Sequence, residues 1–169
     1  PRVRTNMQLS AFQDRLNDRL EHDRYADVDA SSNGLQIGDE SSTVDRAAFA
    51  VDGVAETVEA ATEAGADVLV VHHGMIWGGL DRVTGREFDR IAACIENDLA
   101  LYVSHLPLDA HDELGNAAGL AAFLDCESVA PFGEHGGVTI GQRVRASDSY
   151  AVETLRSRLS ELETGGQSV

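Results

Sequence analysis

Two short apolar runs separated by a helix-period segment limit what this chain can fold into more than any other feature. Residues 68–71 (Val-Leu-Val-Val) and 99–103 (Leu-Ala-Leu-Tyr-Val) read as buried strands. Between them Phe88, Ile91, Ala92 and Ile95 recur at helical spacing. A third strand, at 47–51, ends at Asp52-Gly53, and Val54, Val58 and Ala61 then mark a helix that Gly65 stops in a C-cap position. Ala117, Leu120, Ala121 and Leu124 mark one more helix. Strands that alternate with helices in this way pair in parallel through crossover helices. The predicted fold class is therefore α/β, with a mainly parallel sheet.

The flanking segments are simpler. Leu9, Phe12, Leu16 and Leu20 define an amphipathic helix whose other side carries Asp14, Arg15, Asp18 and Arg19. Residues 31–38 read as a turn followed by a short extended piece, 138–144 alternate like a strand, and Val152, Leu155, Leu159 and Leu162 predict a closing helix. Residues 165–169 show no recognisable pattern, and residues 1–6 are read as a leader or upstream extension before Met7. At 169 residues the chain suits one sizeable domain and is short for two.

Both central apolar runs end in ligand-type side chains, the first in His72-His73-Gly74 and the second in Ser104-His105-Leu106-Pro107-Leu108-Asp109. In a parallel sheet these ends meet at the carboxyl edge, where open α/β sheets place their sites. Imidazoles with a carboxylate suit a divalent metal, and zinc, iron, nickel and manganese all accept such a set. Adjacent residues of a regular strand point to opposite faces, so His72 and His73 can share a cavity only if the strand end is distorted. Gly74 is expected to let the chain turn sharply there.

His105 is open to three readings, a ligand, an outer partner or a proton carrier. His111, Asp112 and Glu113 read as a solvated turn and helix start, with Asn116 in reach of the cavity; His22 and His135 read as surface residues, and Glu134-His135 as a polar loop. Trp77, the single tryptophan, is read either as packing or as one wall of a substrate pocket.

Several classes fall away. There is no Gly-x-Ser-x-Gly elbow, and a phosphate loop would need a lysine that the chain lacks. Cys94 and Cys126 are far apart, which disfavours a cysteine metal site or disulfide framework, and Cys94 reads as a small core residue. No run approaches the ~18–20 apolar residues of a membrane span, and no signal-peptide pattern opens the chain, so the expected location is cytoplasmic.

The segments Asn33-Gly34-Leu35-Gln36, Val71-His72-His73-Gly74 with Trp77, and His105-Leu106-Pro107-Leu108-Asp109-Ala110-His111 with Leu114-Gly115-Asn116 resemble the dinuclear-metal-centre hexameric protein family, whose members are often labelled GTP cyclohydrolase I type 2 homologues. The resemblance runs over residues 7–125. It implies that His72, His73 and Asp109 are metal ligands of a two-metal site and that the protein assembles as a homohexameric ring; in a hydrolase of that kind His105 is the expected proton carrier, because the unperturbed pKa of an imidazole lies near neutrality. It also implies a two-lobed subunit, with residues 7–130 as the metal-site lobe and 131–169 as a connecting segment or the start of a second lobe. The chain then stops before the family's C-terminal His and Glu ligands and is expected to hold its metal incompletely. The implied activity is a divalent-metal-dependent hydrolase acting on a small nucleotide-like or phosphorylated substrate through metal-bound hydroxide. The alternative is a non-catalytic metal-binding scaffold or regulatory protein that works through its ring.

Charge adds one more constraint. All 13 basic residues are arginine, against 29 acidic residues, for a net charge of −16. Such a surface repels nucleic-acid backbones and anionic membranes, and its self-repulsion suits a high-salt cytoplasm. Molar salt shortens the Debye length to about 3 Å, from about 10 Å at 0.1 M, so the melting temperature is expected to rise with KCl over that range. A thermal-denaturation series in KCl checks this; a flat or falling curve contradicts the halophilic reading.

Overall fold

A computed structural model describes residues 7–162; the predicted leader (1–6) and the patternless 165–169 lie outside the described residues. The elements, in order, are β1 (Met7–Gln8), α1 (Leu9–Leu20), a 3-10 turn (His22–Tyr25), β2 (Gly34–Ile37), β3 (Thr43–Val44), β4 (Ala47–Asp52), α2 (Ala55–Glu63), β5 (Val68–His73), α3 (Arg86–Glu96), β6 (Ala100–Val103), α4 (Leu106–Ala110), α5 (Asn116–Phe123), β7 (Cys126–His135), β8 (Val138–Ala146) and α6 (Val152–Leu159). Two compact units result: residues up to Leu108 with His135–Val138, and Asp109–Glu134 with residues from Thr139 onward.

The first unit is built on a sheet of order β2-β6-β5-β4. The pairs β4–β5 and β5–β6 are parallel, and β2 joins β6 antiparallel. The predicted α/β class with a mainly parallel sheet is what the chain forms, with α2 and α3 as the crossovers. The apolar runs are continuous because both faces of the central strands are covered. Leu69, Val71, Leu101 and Val103 pack on one face with Val58, Ala61 and Cys94 of the crossover helices. The alternate residues Val68, Ala100 and Tyr102 pack on the other with Leu9, Phe12 and Leu16 of α1. Burial raises the Cys94 thiol to about 11, in keeping with a core residue.

α5 of the second unit is followed in sequence by the β7–β8 hairpin, whose turn residues group with the first unit. The strand at β8 was legible, but β7 was not: Val129 and Phe132 are exposed, so its apolar residues follow no buried alternation. Gly136 and Gly137, at φ 58° and 90°, make the turn that joins the two strands, since tight hairpin turns require positive φ at both central residues. Arg158 of α6 lies over the Phe123 ring at 4.9 Å and donates to the Phe123 carbonyl, which ties α6 to α5.

Two histidines read from the sequence as solvent-facing are buried. His111 accepts the backbone N–H groups of Glu113 and Leu114 at Nδ1, which makes it the capping group of its own turn. His22 lies under α1, stacked on Tyr102 at 5.6 Å, with its Nε2 3.0 Å from Ser104 Oγ and 3.2 Å from the Tyr102 hydroxyl. Tyr102 in turn donates to Asn17 Oδ1. His22 was misread because its neighbours Glu21, Asp23 and Arg24 are polar, whereas its environment comes from a strand about 80 residues away.

Burial lowers the pKa of His22 to about 4, against the opposing influence of Asp23 and Asp29. The unfolded chain therefore binds a proton there between about pH 6.5 and 4 that the folded chain excludes, so stability is lost as pH falls through that window. Replacing His22 by Gln is expected to flatten this part of the pH–stability profile relative to the parent, measured by urea unfolding at a series of pH values.

Candidate metal centre

The carboxyl ends of β4, β5 and β6 carry Asp52, His72-His73 and Ser104-His105. The ring centroids of His72 and His73 are 4.5 Å apart, and His105 lies 4.9 Å from the first and 5.7 Å from the second. Ligand atoms of these three histidines all fall within 4.8 Å of one another. No gross distortion is needed to bring the adjacent pair together. β5 stays paired through His73, opposite Asp52 of β4, and each ring is drawn toward a different neighbouring strand.

Those attachments determine what the rings present. His73 Nδ1 is 2.7 Å from Asp52 Oδ1, His105 Nδ1 is 2.8 Å from Asp29 Oδ1, and His72 Nδ1 is 3.1 Å from the Ser104 carbonyl oxygen. Carboxylate and carbonyl oxygens only accept, so every Nδ1 is the donor, which leaves Nε2 as the coordinating atom of each ring in its neutral form. An imidazole held through Nδ1 by an oxygen, with Nε2 free, is the arrangement that metal-binding histidines adopt. Tetrahedral zinc bonds of about 2.0–2.1 Å separate ligand nitrogens by about 3.4 Å, and one nitrogen of each ring here lies within 4.8 Å of the other two. The donor set fits a divalent ion of the zinc, iron, nickel or manganese group.

Asp29 is the most constrained carboxylate of the site, with 1% of its side chain exposed. Oδ1 accepts from His105 Nδ1 and the Ser31 N–H, and Oδ2 from Asn33 Nδ2 and the Leu106 N–H. Burial raises the pKa of this carboxyl, but the hydrogen bonds from Asn33, His105, Ser31 and Leu106 outweigh it and hold the group below the usual carboxylate range. Asn33 Oδ1 also accepts the His105 N–H, so side chain and backbone of that ligand are gripped together.

The loop after His73 is clamped by Gln36, which lies where β2 departs from regular register with β6. A bulge re-aims a side chain, and here the Gln36 amide accepts from the N–H groups of Met75 and Ile76 and donates to the carbonyls of Ser32 and Ile76. Gly74 is required for a reason other than the expected sharp turn. Its φ is not positive, yet a Cβ there would stand 2.6 Å from the Gln36 amide and from Val103 Cγ2.

Of the residues expected at the site, His72 and His73 are brought together, and His105, expected as a proton carrier, lies with them and has the same Nδ1-anchored form. Asp109 belongs to the second unit, where Asn116 Nδ2 donates to its Oδ1. Asp29 and Asp52 were missed. Asp52 had a legible signal, since it ends a strand as His73 does; Asp29 sits in an irregular acidic stretch with none.

Three convergent, oxygen-anchored imidazoles at the edge of an α/β sheet form a cluster that could hold a metal ion. The chain belongs to the Duf34/NIF3 (NGG1p interacting factor 3) family, whose model matches residues 7–168. It is 51% identical over 164 residues to a GTP cyclohydrolase 1 type 2 homolog of Halobacterium salinarum, covering 96% of this chain and 64% of that protein. A protein of the same name from Archaeoglobus fulgidus is 43% identical over 144 residues, 85% of this chain and 58% of the relative. Among solved structures, TTHA1606 from Thermus thermophilus superposes with a TM-score of 0.70 at 32% identity, covering 79% of this chain and 53% of that one. The chain thus spans about three-fifths of the length of these two curated relatives.

Outer partners of metal ligands typically contribute 10–100-fold to affinity, so Asp52→Ala is expected to weaken divalent-metal binding by about that factor. Because Asp52 is exposed, its loss should leave unfolding free energy within about 0.5 kcal/mol of the parent. Asp29→Ala is expected to lose both affinity and stability, since four donors lose their acceptor. Isothermal titration with Zn²⁺ or Mn²⁺ alongside urea unfolding separates the two.

Proposed function

We propose that the protein is a divalent-metal-dependent hydrolase of small nucleotide-like or phosphorylated compounds, with His72, His73 and His105 as imidazole ligands. The observation that carries the reading is the convergence of the three rings, with one ligand atom of each within 4.8 Å of the others and each Nδ1 on an oxygen. A bound ion would supply Lewis acidity and an activated water. The residues of this chain do the rest: Asp52, Asp29 and the Ser104 carbonyl hold the imidazoles in one tautomer, and the Gln36 clamp keeps the following loop in place.

Asp109 as a further ligand, two ions per subunit and a hexameric ring rest on the family resemblance and belong to the same proposal. A proton-carrier role for His105 rests on the ordinary pKa of an imidazole near neutrality, whereas its anchored Nδ1 favours a ligand role. The names of the two curated relatives do not decide between catalysis and scaffolding. The relatives are called homologs of a cyclohydrolase, which is a statement of likeness.

Metal content after dialysis, by mass spectrometry, is expected to show bound divalent ion that His73→Ala loses and Asp109→Ala reduces. An ion at 100 times its dissociation constant adds about 2.7 kcal/mol of stability, so chelation should lower the melting temperature. Turnover of a panel of nucleotides and phosphoesters, with and without metal, tests catalysis. Metal binding without turnover in any condition would favour the scaffold.

A further inference from the structure

Beside the histidines stands Trp77, whose burial does not account for its placement. Its ring centroid is 5.0 Å from that of His105, edge-on at 76°, and 6.2 Å from that of His73. Yet 44% of the residue is exposed. Its polar atom does not explain the exposure, because the indole N–H donates to the Gly74 carbonyl at 3.0 Å and has no need of water.

Mobility does not explain it either, since the backbone at this point is braced on three sides. Trp77 forms an antiparallel bridge with Ser31, the Gly78 N–H donates to the Ala30 carbonyl, and the preceding Met75 and Ile76 are held by Gln36. The strap that presents the indole includes Ser31, which donates its own N–H to Asp29, the carboxylate that holds His105. The indole and the imidazoles are therefore fixed to one scaffold, so whatever touches the ring is positioned with respect to the histidines.

We propose that Trp77 is a stacking wall for a planar heteroaromatic ring whose oxygen or nitrogen substituent reaches the histidine centre. This rests on the reading of that centre as a metal site. Rigid, half-exposed indoles offer a large π surface at little entropic cost, and ring stacking is insensitive to which base is presented. The surroundings favour a ring over a free polyanion. Asp29 and Asp52 bring carboxylates to the histidines, and the chain carries a net charge of −16 with no lysine. Recognition through the apolar face of a ring needs no cationic clamp.

The single tryptophan is its own probe. Adenosine, guanosine and cytidine are titrated into the full chain, metal-loaded and metal-free, with ribose as the ringless control. Saturable quenching of Trp77 fluorescence by the nucleosides and none by ribose is the expected result. Trp77→Phe and Trp77→Leu both lose the indole hydrogen bond and keep apolar bulk, but only the first keeps a π face. By equilibrium dialysis, Phe is expected to retain nucleoside affinity to within about threefold and Leu to lose about 5- to 150-fold, the worth of one stacked base. Quenching by ribose, or equal affinity of the Phe and Leu variants, overturns the proposal. Parent protein that holds metal but binds no nucleoside overturns it while leaving the metal reading intact. Nucleoside binding with no metal retained supports the stacking wall and overturns the metal reading instead.

Discussion

A free imidazole has two tautomers and a ring that turns about its bonds, and a site made of three such rings would be a population of arrangements. A hydrogen bond from each Nδ1 to an oxygen that can only accept removes both freedoms at once. Here the three acceptors come from three places: the end of β4, the backbone just past β6, and the irregular segment before β2. The centre therefore depends on the alignment of β4, β5 and β6. The pairing of Asp52 with His73 puts the first carboxylate beside its ring, and the pairing of Val71 with Val103 sets Ser104 opposite His72. A shift of one residue in either register would turn the ligands to the other face.

Burial makes the third attachment the demanding one. A carboxylate removed from water costs several kcal/mol unless its lone pairs are filled, and Asp29 meets that condition with four donors from Ser31, Asn33, His105 and Leu106. Two of those donors are backbone N–H groups, so the charge that orients His105 also ties the loop before β2 to the start of α4. Asn33 and Gln36, three residues apart, act on the two ligand loops in turn, the first gripping His105 and the second the segment after His73. The Asn33-Gly34-Leu35-Gln36 motif is in this sense part of the site, although none of its side chains is a ligand.

Beneath the ligands lies a second polar layer. His22 bonds to both Tyr102 and Ser104 in the core between α1 and the sheet, and Ser104 is also the residue whose carbonyl anchors His72. Buried polar groups that are fully paired specify one packing arrangement, where an apolar layer tolerates several. The layer gives β6, the strand that leads into His105, one seat against α1.

The alternation β4-α2-β5-α3-β6, the parallel pairing of those strands and the position of the histidines at strand ends were legible in the sequence, because hydrophobic periodicity is a local property and survives without knowledge of partners. So was the C-cap at Gly65, whose φ of 65° needs only a local argument. The carboxylates were not: Asp29 finds His105 across 76 residues and Asp52 finds His73 across 21. Burial of His22 under α1 and the need for glycine at 74 were likewise decided by neighbours distant in sequence. Strand β7 escaped because its apolar side chains face water. Sequence by itself determined that His72, His73 and His105 stand at the carboxyl edge of the parallel strands. Tertiary structure alone decided which oxygen holds each ring, because a hydrogen bond of about 3 Å depends on the register of whole strands.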